Sequence, residues 1–71
     1  MQNDKMKGWI ESFNTLAVRN GTPIDGEVIG WIAPFGIVED GEQDFVTFDG
    51  SEWRDRAGRT CTVTHWKKIA V

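Results

Sequence analysis

Two kinds of hydrophobic periodicity divide the chain. Near the N-terminus, apolar residues recur at spacings of three and four, the period of an amphipathic helix; they are Met6, Trp9, Ile10, Phe13, Leu16 and Ala17. Asp4 is a suitable N-cap, Asn20-Gly21 suits the left-handed end of a helix, and Pro23 prevents its continuation. The pattern predicts one N-terminal helix, although segment 9–11 also fits a short strand.

Beyond Pro23 the pattern becomes that of β-strands. Segments 27–33, 45–48 and 60–66 are rich in β-branched and aromatic residues and are separated by turns that contain glycine. Segment 27–33 is apolar on both faces, as expected of a central strand, and Gly30 within it indicates a bulge or a close backbone approach. Segment 35–38 fits either a short edge strand or a return loop.

A β-hairpin is predicted over residues 44–55. Asp49-Gly50 favours a two-residue turn with positive φ angles, and Glu52, Trp53 and Arg54 then resume an extended pattern. We therefore expect an α+β fold in a single domain over 1–71, with the N-terminal helix packed on a small antiparallel meander sheet of about four strands.

The length of 71 residues limits how the fold can be stabilised, since so short a chain buries only about 60% of its unfolded surface. Cys61 is the one cysteine and His65 the one histidine, so we expect no internal disulfide, no zinc site and no cofactor. Within one strand these two side chains would stand about 13 Å apart, too far for a nucleophile and its base. We expect a protein without catalytic activity, whose four Trp and four Phe form the core.

The charge is unevenly distributed. The chain has a net charge of −3, but residues 1–52 carry three basic and ten acidic side chains, a net −7, and residues 53–71 carry five basic and one acidic, a net +4. An acidic total argues against direct duplex binding. No apolar run approaches the roughly 20 residues of a membrane span, and the N-terminus lacks the pattern of a signal peptide, so we expect a cytoplasmic protein.

Acidic residues concentrate around the predicted hairpin, and we take them with one aromatic residue as candidate partner-binding residues: Glu39, Asp40, Glu42, Asp44, Asp49, Glu52 and Trp53. Alternate strand residues lie about 6.6 to 7 Å apart, close to the phosphate spacing of a nucleic-acid strand, so these carboxylates could occupy a basic groove on another protein. Trp53 would be the exposed anchor of that contact. The alternatives are a solvated edge that resists aggregation and a tryptophan in the core.

A second candidate site is basic. Arg54, Arg56 and Arg59, with His65, could surround the phosphates and base of a nucleotide second messenger in a homo-oligomer. Nothing there matches a phosphate-binding loop. A solvated loop and a structural histidine are the alternatives.

Several motifs together resemble a known family. They are Gly8-Trp9-Ile10, Pro23-Ile24-Asp25-Gly26-Glu27-Val28, Phe48-Asp49-Gly50 and Val63-Thr64-His65-Trp66. The chain is similar over nearly its whole length to the short phage and prophage proteins grouped as domain of unknown function 551. It departs from them in a longer interval between Trp9 and Pro23 and in a tail without proline. The resemblance implies a phage or prophage origin and an α+β fold, and it carries no established activity.

These observations favour a phage or prophage binding protein that inhibits a host bacterial protein by contact. The expected host protein is a component of a nucleic-acid-directed defence complex. The expected contact is the acidic hairpin with its aromatic residue. The alternative is the oligomeric module that sequesters a nucleotide. A structural accessory without a defined ligand also stays open.

Overall fold

The computed structural model describes residues 6–70. Their strands are β1 (Ile10–Glu11), β2 (Val28–Ile32), β3 (Glu42–Phe48), β4 (Trp53–Asp55), β5 (Thr60–Cys61) and β6 (Val63–Lys67). Helical structure in this part of the chain is limited to one short α-helix, α1 (Leu16–Asn20), and to 3₁₀ turns that include Ser12–Asn14, Pro34–Gly36 and Val38–Asp40. The described chain is therefore mainly β.

The strands form a single antiparallel sheet in the order β1-β6-β2-β3-β4-β5. Only Thr62 separates β5 from β6, so the Cα atoms of Cys61 and Val63 lie at most about 7 Å apart. The continuous segment 60–67 thus pairs with β4 through β5 and with β2 through β6. The sheet must curl until its β5 edge returns beside β6.

Side chains from four strands fill the interior of the curled sheet. The buried ones are Val28, Val46, Phe48, Trp53, Val63 and Trp66. The ring centroid of Trp53 lies 5.0 Å from that of Phe48 and 6.5 Å from that of Trp66. Val63 and Trp66 both face inward because Thr64 is an additional residue in β6 relative to β2. Aromatic packing therefore holds the curled sheet together.

Strand β2 carries a second, smaller core on its outer face. It consists of the buried residues Met6, Trp31 and Ala33, with Trp9 and Val38 packed against them. The rings of Trp9 and Trp31 pack edge to face, with their centroids 5.9 Å apart. On the inner face, a Cβ on Gly30 would stand 2.4 Å from Cγ2 of Val46, so only glycine fits there. The two-sided strand confirms the prediction of a central strand, whereas Gly30 makes room for the Val46 side chain and not for a bulge or a neighbouring backbone.

The predicted α+β fold is wrong, because residues 6–70 contain no long N-terminal helix packed on a four-stranded sheet. The described part of that segment begins instead with a turn, β1 and a 3₁₀ turn, and α1 spans five residues. Long-range hydrogen bonds decide this: the Ser12 hydroxyl donates to the Val63 carbonyl, and Thr15 Oγ1 accepts a bond of 2.8 Å from Trp66 Nε1. The predicted N-cap, Asp4, lies outside the described residues, whereas the predicted end is confirmed by Gly21 at φ 68°.

The predicted strands are present, except that segment 60–66 divides into β5 and β6, and the turn of the hairpin also differs. Strand β3 ends at Phe48 and β4 begins at Trp53, so four residues connect them instead of two. Gly50 alone takes a positive φ there, at 100°. A Cβ on Gly50 would stand 2.8 Å from the Gly21 carbonyl oxygen, so the loop packs closely against the end of α1.

Candidate protein-binding surface

The predicted acidic cluster separates into two groups. Asp49 and Glu52 belong to the hairpin loop, whereas Glu39 and Asp40 lie in the β2–β3 connection, followed by Glu42 and Asp44 at the start of β3. The nearest members of the two groups, Asp44 and Asp49, are five residues apart along extended chain, a distance of about 16 Å at 3.3 Å per residue. The six carboxylates therefore form two separate surfaces.

In the hairpin loop, the carboxylates bind backbone and side-chain groups of the same chain. Asp49 Oδ1 accepts hydrogen bonds of 2.8 Å from the backbone N–H groups of Ser51 and Glu52, and Oδ2 lies 3.3 Å from Arg54 Nε. The Glu52 N–H, then the Ser51 N–H, and less strongly Arg54, lower the pKa of Asp49 below its ordinary value. Arg54 also lies 3.0 Å from Glu52 Oε2 and donates to the Gly58 carbonyl. This network closes the loop.

The other two arginines of the predicted nucleotide site also have partners within the chain. Arg56 Nε lies 3.5 Å from Glu27 Oε2, and its guanidinium lies 4.4 Å from the centre of the Phe45 ring. Arg59 lies 3.3 Å from Asp55 Oδ2. The backbone N–H of Arg59 is the main cause of the lowered pKa of Asp55, and the Arg59 charge adds to it. All three guanidinium groups thus face carboxylates of their own chain.

His65 and Cys61 lie on different strands. His65 pairs with Glu11 and Trp31 across its two neighbouring strands, neither of which is β4, the strand of Arg54, and its Nδ1 is 3.0 Å from Thr64 Oγ1. Burial raises the pKa of the Cys61 thiol, and two nearby aspartates raise it further. Because the thiolate is the reactive form, Cys61 is a poor nucleophile at neutral pH.

The prediction that Trp53 is an exposed anchor is wrong. Its side chain is only 8% exposed and packs in the inner core. Sequence reasoning chose the tryptophan beside the hairpin and missed Phe35, which is 95% exposed. The signal was available, since an aromatic residue between Pro34 and Gly36 just after a strand belongs to a turn, where side chains face solvent.

The β2–β3 connection holds Phe35 outward while its second half is fixed to the outer core. Trp31 Nε1 donates a hydrogen bond of 2.9 Å to the Val38 carbonyl. A Cβ on Gly41 would stand 2.3 Å from Trp31 Nε1, so the chain passes directly over this indole. Phe35 itself has φ 61°, a value that non-glycine residues rarely adopt.

The strand register brings a second exposed phenylalanine to the same end of the sheet. Ser12 is bonded to Val63, and the Ala33 N–H donates to the Thr62 carbonyl at 3.0 Å. Phe13, which is 63% exposed, therefore lies two strands from the start of the β2–β3 connection, about 10 Å away. We define the Phe35 surface as Phe13, Phe35, Ile37, Glu39, Asp40 and Glu42, all of them exposed.

The carboxylates of the Phe35 surface differ from those of the hairpin loop. Within residues 6–70, no salt bridge involves Glu39, Asp40 or Glu42, and none involves the neighbouring Asp44, whose Oδ1 accepts a hydrogen bond from the Phe45 N–H. An exposed apolar area with a polar rim is one sign of a protein-binding surface.

Two open clefts lie outside the Phe35 surface. One of about 340 Å³ is lined by Ser51, Glu52, Trp53, Thr60, Cys61 and Thr62. The other, of about 370 Å³, is lined by Ile24, Asp25, Glu27, Val28, Trp66, Lys68 and Ile69. In the described part of the chain, no three Asp, Glu, His or Cys side chains come together as a metal site.

The fold and this surface define a small, mainly antiparallel β protein with an acidic and apolar surface at one end of its sheet. No protein-family model, curated protein or solved structure matches the chain. The resemblance to the phage family therefore stays a prediction. No helix among residues 6–70 is long and apolar enough to cross a membrane.

Proposed function

We propose that this chain is a non-enzymatic binding protein that docks on a basic surface of another protein through Glu39, Asp40, Glu42 and Asp44. The observation that carries the proposal is that these four exposed carboxylates have no cationic partner among the described residues. In contrast, every arginine between positions 54 and 59 has a carboxylate partner. A basic partner surface would supply the missing cations and speed association.

The spacing of the carboxylates supports a partner that normally binds nucleic acid. Glu42 and Asp44 are alternate residues of β3, so their Cα atoms lie about 6.6 to 7 Å apart on one side of the strand. This spacing is close to that of consecutive phosphates along a nucleic-acid strand. We propose a nucleic-acid-binding protein as the partner class, and the resemblance to phage proteins makes a bacterial defence complex the first to test.

The alternative function, an oligomeric module for a nucleotide second messenger, receives less support. A nucleotide phosphate would have to displace Asp49, Glu52, Glu27 and Asp55 from the arginines. Such exposed ion pairs are individually weak, but four carboxylates at the site also repel an anion. Calorimetry with a panel of cyclic nucleotides separates the two functions, since the protein-binding function expects no heat of binding.

The proposal is tested by capture and by charge reversal. The full chain is immobilised and exposed to bacterial lysate, and any dominant captured protein is purified and titrated against the parent chain and against the double variant Glu39→Lys with Asp40→Lys. We expect the reversal to weaken binding at least tenfold and to remove most of its dependence on salt concentration.

The control is Asp25→Lys, which makes one such charge reversal, half the change in net charge of the double variant, at an exposed aspartate in the turn before β2. It should bind as the parent chain does. Equal loss in the control and the double variant would reduce the effect to net charge, and full binding by the double variant would overturn the proposed surface.

A further inference from the structure

Phe35 is a large apolar side chain that the fold does not use. It is 95% exposed, and neither the inner nor the outer core includes it. Its neighbours in the 3₁₀ turn, Pro34 and Gly36, are exposed as well. Removing the phenyl ring would cost the folded protein almost no buried area, so the ring has no structural role.

The surroundings of Phe35 match the usual composition of a protein interface. Interfaces combine a few apolar anchors with a polar rim, and aromatic residues dominate the binding energy. Here Ile37 is a further exposed apolar residue of the same connection, and Glu39 and Asp40 follow on its next 3₁₀ turn. The anchor and these unpaired carboxylates therefore belong to one short connection of the chain.

The connection presents this anchor from a fixed base. Val38 is held by the Trp31 indole, and the Ala33 N–H is held by the Thr62 carbonyl on β6. Both ends of segment 34–37 are thus tied to the sheet, which limits the conformational entropy that binding would cost.

We propose that Phe35 inserts into an apolar pocket of the basic partner protein, and that lysine or arginine side chains at the mouth of that pocket face Glu39 and Asp40. This inference rests on the proposed function and adds the chemistry of the partner's site. Charge complementarity selects the occupant. The three clustered arginines of a second copy would not supply these cations, because they are already paired with carboxylates.

The first test is site-specific crosslinking. Phe35 is replaced by the photoreactive residue p-benzoylphenylalanine in the full chain, which is irradiated in bacterial lysate, and the crosslinked peptides are sequenced by mass spectrometry. We expect one protein, crosslinked at apolar residues with lysine or arginine nearby. The same replacement at Ile69, which is exposed beyond the far end of β6, should give no such product.

The second test uses that protein, purified, and titrates it by calorimetry. Phe35→Ala should weaken binding by about 30-fold or more, as expected when an interface hot spot is truncated. Phe35→Leu should recover part of the affinity, and Ile69→Ala should match the parent chain. The salt dependence of Phe35→Ala should equal that of the parent, because the carboxylates remain.

The possible outcomes separate this inference from the proposed function. If charge reversal at Glu39 and Asp40 releases the partner while Phe35→Ala binds fully, the anchor is overturned and the acidic docking surface stands. If neither variant loses affinity, or if no protein is captured, both are overturned. Crosslinking of position 35 to a second copy of the chain would replace the proposed partner by self-association.

Discussion

The hairpin loop between β3 and β4 and the connection between β2 and β3 have similar composition and opposite organisation. Both are acidic and glycine-containing, and both have an aromatic residue within or beside them. In the hairpin loop, Asp49 binds two backbone N–H groups and Arg54, Glu52 binds Arg54, and the adjacent Trp53 is buried. In the connection, the carboxylates have no ion pair among the described residues, and Phe35 faces solvent.

This difference teaches which acidic residues are available for a partner. A carboxylate that already accepts several hydrogen bonds within its own chain would have to give them up in order to bind a cation elsewhere. A carboxylate without such bonds gives up only water. The β2–β3 connection is therefore the better candidate for recognition, and the hairpin loop contributes to folding.

The largest expected effect separates the two aromatic residues. Trp53→Ala should lower the free energy of unfolding by about 3–5 kcal/mol, because it leaves a cavity between Phe48 and Trp66. Phe35→Ala should change it by no more than about 0.5 kcal/mol, as for most surface substitutions. Urea unfolding followed by tryptophan fluorescence and circular dichroism measures both. Comparable losses in the two variants would contradict the assignment of Phe35 to recognition.

An intermediate effect is expected at the hairpin loop. Asp49→Ala should lower the urea midpoint at neutral pH, because the Ser51 and Glu52 N–H groups and Arg54 lose their acceptor. Asp40→Ala, the matched change in the connection, should leave the midpoint nearly unchanged. Equal shifts in the two variants would remove the distinction between a structural and an available carboxylate.

The effect at Asp49 should also depend on pH. The folded-state pKa of Asp49 lies below the ordinary value of 3.8, so its ionised form is favoured by folding. The stabilisation is fully present above that ordinary value and is lost as the pH falls through the lower folded value. The difference in midpoint between the parent chain and Asp49→Ala should therefore shrink in acid. A constant difference from neutral to acidic pH would contradict the ionic part of this interpretation.

The smallest expected effect on the stability of the protein comes from substitutions in the β2–β3 connection. Glu39→Gln combined with Asp40→Asn should shift the free energy of unfolding by no more than about 0.5 kcal/mol, since neither carboxylate has an ion pair in the described chain to lose. Binding to the captured partner should nevertheless weaken. A clear loss of stability in this variant would show that the carboxylates serve the fold.

Local patterns predicted the strands well because each pattern matched its tertiary environment. Segment 27–33 is apolar on both faces, and β2 indeed lies between β6 and β3 with a core on each side. Gly30 was expected to mark a bulge or a close backbone approach, and its lack of a side chain instead makes room for the Val46 side chain. Gly21 ends α1 in the left-handed conformation, as its position before Pro23 suggested.

Patterns failed where a distant partner decided the structure. Apolar spacing of three and four predicted a long helix, but residues 10–11 pair with β6, and Thr15 bonds to Trp66 from 51 positions away. The predicted single strand 60–66 divides at Thr62 because the sheet closes there. The exposure of Trp53 and Phe35 was misjudged for the same reason, since burial depends on which strands meet.

The order of residues by itself determined the elements with local causes: where strands form, where α1 ends, which strand has two apolar faces, and the acidic character of the region from 39 to 52. Tertiary structure decided how the sheet curls, which carboxylates are bound by N–H groups and arginines, and which aromatic residue faces solvent. The physical reason is range. Turn and strand preferences act over a few residues, whereas hydrogen bonds, ion pairs and burial depend on neighbours that only the folded chain brings together.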